Sequence, residues 1–145
     1  MSDGFFYRKG LEMFWSWPIA SGVVVEVGDL LMNATARARR MSATTDNLNF
    51  IGAAKSAHAA TDPSGTIQVW IPLPVTVFEY PLDAATDIAV GDPLQWNDEQ
   101  KLAKNATDAI ATAVEAGLQK TTIRCVFRMP AATSTNIRLG TGDAS

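Results

Sequence analysis

The chain has 145 residues, 47% of them hydrophobic and 19% charged, with a formal net charge of −3. That length suits one domain or two small units sharing a core, and the acidic balance argues against a whole-surface affinity for nucleic acid, which wants a basic face. One cysteine and one histidine exclude an internal disulfide and multi-cysteine zinc sites, remove most histidine-based metal and catalytic constellations, and leave no cofactor expected.

Residues 1–14 form an N-terminal arm that carries Phe5, Phe6, Tyr7 and Phe14 among Asp3, Arg8, Lys9 and Glu12. The interspersed charges deny it the apolar core of a signal peptide. No run in the chain is long and apolar enough to span a bilayer, so no membrane partner is expected. The expectation is a soluble protein made in a reducing cytoplasm, and the Asn-x-Thr triplets at Asn33 and Asn105 are read as chance. Six of the twelve aromatic side chains fall within the first 17 residues. Leaving Phe5, Phe6 and Tyr7 in water forfeits on the order of several kcal/mol of burial. The arm therefore either folds back over the body or docks on a partner, where aromatic anchors are favoured; docking is the preferred reading.

The body then states one pattern twice. Trp15-Ser16-Trp17-Pro18-Ile19 runs on to Val27-Gly28-Asp29-Leu30-Leu31, and Phe78-Glu79-Tyr80-Pro81-Leu82 runs on to Val90-Gly91-Asp92-Pro93-Leu94 at the same spacing. Each copy closes on an alternating run that ends in proline, Thr66 to Pro74 and Thr122 to Pro130. A tandem pair decides the architecture before any motif does: a single β domain over 15–130, made of repeats 15–74 and 78–130, with a flexible C-terminal tail over 131–145.

Within the repeats the hydrophobic period is two, the mark of half-buried strands. Val23, Val25 and Val27 are expected to share one face of a strand. Ile67, Val69, Ile71 and Leu73 share a face against Gln68, Trp70 and Pro72, and Ile123, Cys125, Phe127 and Met129 repeat that set with Arg124, Val126 and Arg128 outward. Asp62-Pro63-Ser64-Gly65 reads as a turn and Asn97-Asp98-Glu99-Gln100 as a hairpin tip. Gly28-Asp29 and Gly91-Asp92 read as matching turns in which Asp accepts nearby amides and Gly takes a conformation closed to other residues. Lys104–Gln119 is alanine-rich, and a short helix competes with a strand there; the alignment of Ile110-Ala111-Thr112-Ala113 with Ile51-Gly52-Ala53-Ala54 favours the strand. Short strands broken by turns, without a β-α-β rhythm, predict an all-β barrel or sandwich.

The chemical motifs are weak. His58 with Asp46, Asp62 or Ser56 lacks any local nucleophile signature, and Cys125 reads as a core hydrophobe; no enzyme is expected. Arg37, Arg39 and Arg40 form the only basic cluster. It fits a solvated face best, a contact with a protein partner next, and a nucleic acid least, for want of interleaved aromatics.

Val27-Gly28-Asp29-Leu30-Leu31, Phe50-Ile51-Gly52-Ala53-Ala54, the second Val-Gly-Asp-x-Leu-x-Trp-Asn over 90–97 and Ala109 to Gly117 together resemble the capsid decoration, or cement, proteins of tailed bacteriophages, over roughly residues 20–130. The resemblance implies a compact β-rich virion protein on the capsid exterior. It implies the major capsid protein and a second copy of the chain as partners, in a homotrimer at local three-fold positions that cross-links subunits of the expanded shell. It also implies that the N-terminal arm grips the shell or the adjoining protomer, here through Phe5, Phe6 and Tyr7, with Arg8 and Phe14 beside them read as contacts too. Arg37, Arg39 and Arg40, in a loop more basic than the family pattern, are read separately as secondary contacts. Two other readings stay open: another virion barrel such as a tail-tube or head-completion protein, and a small-molecule-binding barrel, which needs convergent polar groups in a pocket.

Overall fold

Residues 5–10 and 12–128 are described by a computed structural model; the expected tail over 131–145, together with Met129 and Pro130, lies outside the described residues. The fold is all-β. Strand β1 (Phe6–Lys9) precedes a five-stranded sheet made of β2 (Phe14–Ile19), β3 (Leu30–Ala34), β4 (Arg37–Arg40), β5 (Phe50–Ala54) and β6 (Gly65–Trp70), with a short 3-10 helix at Thr44–Asn49. A second set follows: β7 (Val77–Ile88), β8 (Pro93–Asp98), β9 (Lys101–Lys104), β10 (Ala111–Ala113) and β11 (Gly117–Phe127). The 104–119 stretch contains no helix; it is strand at Ala111–Ala113, as the repeat alignment favoured, and at its two ends, with loops between.

The first sheet runs β2-β6-β5-β3-β4 and the second β7-β11-β10-β8-β9, the same order element for element. The registers match as well. Trp17 faces Ile67 where Tyr80 faces Ile123, and Leu31 faces Gly52 and Arg40 where Leu94 faces Ala111 and Lys104. In the second half a parallel pairing of β7 with β9, Leu82 against Leu102, closes the sheet into a five-stranded barrel, which removes its open edges. Both β3–β4 and β8–β9 turn on two residues with positive φ, Thr35 and Ala36 at 55° and 66°, Glu99 and Gln100 at 44° and 62°, the hairpin geometry that matches strand twist.

Alternation packs each half in the same way. Ile19, Val25, Leu31, Ile51, Ile67 and Val69 form a cluster inside the first half. Their counterparts Leu82, Ile88, Leu94, Ile110, Ile123 and Cys125 belong to a larger cluster that continues across the junction to Phe50, Trp70 and Phe5. The shared interior expected from the sequence is this larger cluster, and the first half has a further one of its own. Burial pushes the Cys125 thiol up, as its core position requires.

Three sequence expectations are corrected. Val23–Val27 is a loop held by one isolated bridge, Val25 to His58; Gly22 and Gly28, both at positive φ, bend the backbone out of a strand on either side. Strand β6 stops at Trp70, so Ile71 and Leu73 are not part of it. Trp70, expected to face water, is buried, because the second half and the arm cover the outer face of the first sheet.

The Gly-Asp turns recur atom for atom. Gly28 donates to the Ala54 carbonyl and Ala54 to that of Asp29; Gly91 donates to Ala113 and Ala113 to Asp92. The Asp29 carboxylate accepts the Glu26 amide at 2.9 Å and that of Asp92 the Ala89 amide at 2.8 Å. Their glycines sit at φ 95° and 94°, yet a Cβ on Gly28 would lie 2.5 Å from the Phe5 ring whereas one on Gly91 would meet nothing within 4 Å. Both substitutions to Ala bear the left-handed backbone cost of about 1–2 kcal/mol, roughly 3–6 °C in Tm for a chain of this size. Only Gly28→Ala must also displace an aromatic ring, at about 1–3 kcal/mol more. Thermal denaturation is expected to rank Gly28→Ala clearly below Gly91→Ala. In a Phe5→Ala background the gap should close, since the two sites are in contact and couple; equal shifts in the parent chain would show that Phe5 does not rest on Gly28.

Candidate docking surface

The arm is added to the second sheet as β1, antiparallel to β7, with Phe6 opposite Glu79 and Tyr7 opposite Phe78. This pairing divides the arm's aromatic residues. Phe5 is 2% exposed, its ring 5.6 Å from Trp70, 5.7 Å from Phe78 and 5.2 Å from Tyr80. Its expected place among the docking residues is therefore corrected. A side chain buried between the two halves has no surface left to offer, and for Phe5 the arm does fold back over the body. The side chains of Phe6 and Arg8 lie outside the described residues.

Tyr7 takes the intermediate position. Its ring stacks on Trp70 at 6.3 Å and meets Phe78 edge-on at 5.9 Å, while its hydroxyl donates to the Gly10 carbonyl at 2.6 Å, leaving the outer part of the side chain exposed. Phe14, at the start of β2, is the register partner of Trp70 and is 47% exposed, as is Met13. Lys55 braces this edge: its ammonium lies 5.3 Å from the centre of the Phe14 ring and 5.2 Å from that of Trp70, a distance at which a cation is drawn to the aromatic face. The same ammonium bonds Glu12 at 2.6 Å, and this bond holds the Glu12 carboxyl below the usual range. The result is an exposed apolar strip in which Tyr7 and Phe14 are set about the buried Trp70 and Met13 precedes Phe14 in the chain, edged by one ion pair.

The basic cluster is largely engaged within the chain. Arg40 pairs with Asp29 at 2.9 Å, as Lys104 pairs with Asp92 at 3.1 Å in the second half. Arg39 reaches Asp46 at 3.5 Å and donates to the Arg40 carbonyl at 2.9 Å and to the Ser42 hydroxyl at 3.1 Å. Arg37 is exposed at the first residue of β4, beside the Thr35-Ala36 turn. The structure thus brings Tyr7 and Phe14 together on one edge and sets the arginines on the separate β3–β4 hairpin. Met13 and Lys55 complete the strip and were missed. Nothing in the spacing of Glu12 and Lys55 signals that β2 and the segment after β5 bring them together.

His58 is placed as a stitch. Its Nδ1 lies 2.6 Å from the Val23 carbonyl and its Nε2 2.9 Å from that of Pro63. Two carbonyl acceptors require two ring donors, so the doubly protonated imidazolium is favoured; the bond to Val23, then that to Pro63, raises the His58 pKa. A raised folded-state pKa means that the native chain binds the proton more tightly than the unfolded one. The stabilisation is complete below the unfolded value of about 6.5 and is lost as pH rises through the folded value. Urea titrations of the parent chain and of His58→Asn are expected to diverge most at about pH 5.5 and to converge toward pH 9. A difference that is constant over this range would refute the double-donor arrangement.

Among the described residues, no group of three or more His, Cys, Asp or Glu side chains is arranged to hold a metal. The model of one family, the phage cement proteins, matches residues 19–130. Among solved structures, the N base of the bacteriophage phi29 head fiber gp8.5 is similar at a TM-score of 0.46 and 16% identity, over 81% of this chain and 97% of that one. No curated protein matches at a significant level.

Proposed function

Since the chain belongs to the phage cement protein family, a family of structural, capsid-associated virion proteins, we propose that it binds the outer surface of the expanded capsid as a homotrimer at local three-fold positions, cross-links neighbouring subunits of the major capsid protein, and grips them through its N-terminal arm. The observation that carries the arm's part is the exposed strip of Tyr7, Met13 and Phe14. Three large apolar side chains left exposed to water, two of them set about the buried Trp70, are what a partner surface covers. The matched family span begins at Ile19, so the strip is argued from its own geometry. Arg37, at the tip of a separate hairpin, supplies a secondary charged contact.

The mechanism needs no chemical step. A body of paired strands with a closed barrel presents the strip in one orientation, so little conformational entropy is lost on docking. A protein that binds the expanded shell and not its precursor stabilises the expanded state by mass action. Joining three copies makes each further contact intramolecular.

Binding of purified protein to expanded heads assembled without it tests this reading. Phe14→Ser and Tyr7→Ser are each expected to weaken each subunit's contact by roughly tenfold, the loss of about 1–2 kcal/mol at an aromatic anchor, and head binding by a trimer by more, since the losses compound. Phe14, half exposed, should move Tm by no more than a few degrees. Unchanged head binding by the double variant would remove the arm from the interface, and saturable binding to unexpanded heads of equal affinity would remove the preference for the expanded shell.

A further inference from the structure

The contact between the two halves is heterologous: each half uses a different face. The first half contributes the surface around Gly28, with Leu30, Met32, Phe50 and Trp70. The second contributes Phe78, Tyr80 and Phe127. Tyr80 donates to the Gly28 carbonyl at 2.5 Å, Phe50 meets Phe127 at 5.2 Å and Trp70 meets Phe78 at 5.1 Å. The matched registers give each of these faces a counterpart in the other half. The counterpart of Phe78 and Tyr80 is Trp15 and Trp17, and the counterpart of Val27 and Gly28 is Val90 and Gly91.

Neither counterpart is covered as its twin is. Val27 packs against the larger cluster, but Val90 is 67% exposed. Gly28 lies under Phe5, but a Cβ on Gly91 would meet nothing within 4 Å at nearly the same φ. Val114 and Leu118 extend this bare face, Leu118 at 81% exposure; Gly91 donates to the Ala113 carbonyl, and Gly117 is the register partner of Ile88. In the first half, Trp15 and Trp17 pack against the inner cluster but are only partly buried, where Phe78 and Tyr80 are fully so.

We infer that Trp15 and Trp17 of one copy dock on the Val90–Gly91 face of a second copy, repeating between chains the contact that joins the halves within one. The occupant follows from continuity with that interface, since among the described residues the aromatic pair with the register of Phe78 and Tyr80 is Trp15 and Trp17 of the same chain. A contact between unlike faces propagates from copy to copy and ends when a ring closes. This inference rests on the self-association in the function proposed above and names the surface that makes it. The Tyr7–Phe14 strip remains the surface for the shell.

Sedimentation velocity of the full chain, alone and after release from heads, tests it with Val90→Asp combined with Leu118→Asp. Both positions are exposed, so the far-UV spectrum of the variant should match the parent. The expected result is an assembled parent and a variant whose self-association is at least about tenfold weaker, as when interface anchors are lost. A variant that assembles like the parent overturns this face while leaving the homo-oligomer standing. A parent that is monomeric both alone and on release overturns the homo-oligomer and this inference together.

Discussion

The structure depends on one aromatic junction. Gly28 turns its backbone to φ 95°, which presents its carbonyl to the Tyr80 hydroxyl and leaves a bare Cα on which the Phe5 ring lies. A fully buried hydroxyl that finds no acceptor costs about 1–3 kcal/mol, so the bond to Gly28 is what permits Tyr80 rather than Phe at the centre of the junction. Burial then pushes the Tyr80 pKa well up, keeping the hydroxyl a donor at any ordinary pH. Two further clasps fix how the halves sit. Asn47 exchanges hydrogen bonds with the Trp96 backbone at 3.0 and 2.9 Å, and Gln100 accepts from Leu30 at 2.5 Å and donates to Met41 at 3.1 Å. Gln100 stands at positive φ on the β8–β9 hairpin tip, so a turn of the barrel also locks it to the first half.

The two halves keep the same turns and differ in what covers them. Asp29 with Arg40 joins a buried carboxylate to a half-exposed guanidinium, and Asp92 with Lys104 is the more exposed copy of the same pair. Their recurrence is better explained by the amides that each aspartate accepts, since these hold the Gly-Asp turn that starts β3 and β8. The outer faces, by contrast, have diverged with their neighbours. Trp70 in the first half, under Phe5 and Phe78, stands where Val126 stands in the second, and Met32 under the junction stands where Gln95 stands. A duplicated sheet is constrained inside by its own barrel and outside by whatever packs on it.

That difference also marks what the sequence can disclose. The all-β class, the Gly-Asp turns, the 97–100 hairpin tip and the strand character of 111–113 were legible, because alternation and turn chemistry are local and the second copy checks the first. The burial of Trp70 and Phe5 was not, because it depends on a contact between segments distant in sequence, and alternation within β6 places Trp70 in water. The Val23–Val27 loop failed for a related reason: three alternating valines fit a strand, but the glycines at 22 and 28 set the backbone, and only one bridge to His58 forms. At the candidate docking surface the aromatic arm was visible as an excess. Its division into a buried Phe5 and exposed Tyr7 and Phe14 required knowing that β1 pairs with β7, since the position of each ring is set by that register.

Of the arm's described aromatic residues, Phe5 is buried in the junction and Tyr7 and Phe14 stay exposed, so the surface left for the proposed docking is small. A strip of three side chains makes a weak contact alone, on the order of 10 µM at best for so little area. If three copies are joined and each tethered contact sees an effective concentration of about 1 mM, every added contact multiplies affinity by roughly a hundred. The strip can then stay modest in each subunit, which limits the apolar surface exposed before assembly and with it the tendency to aggregate. The same arithmetic makes the proposed attachment steep: a tenfold loss at Phe14 in each subunit compounds to roughly a thousandfold across three contacts. Rigidity of the junction matters for the same reason, since tethered contacts multiply only while all three strips can meet the shell at once.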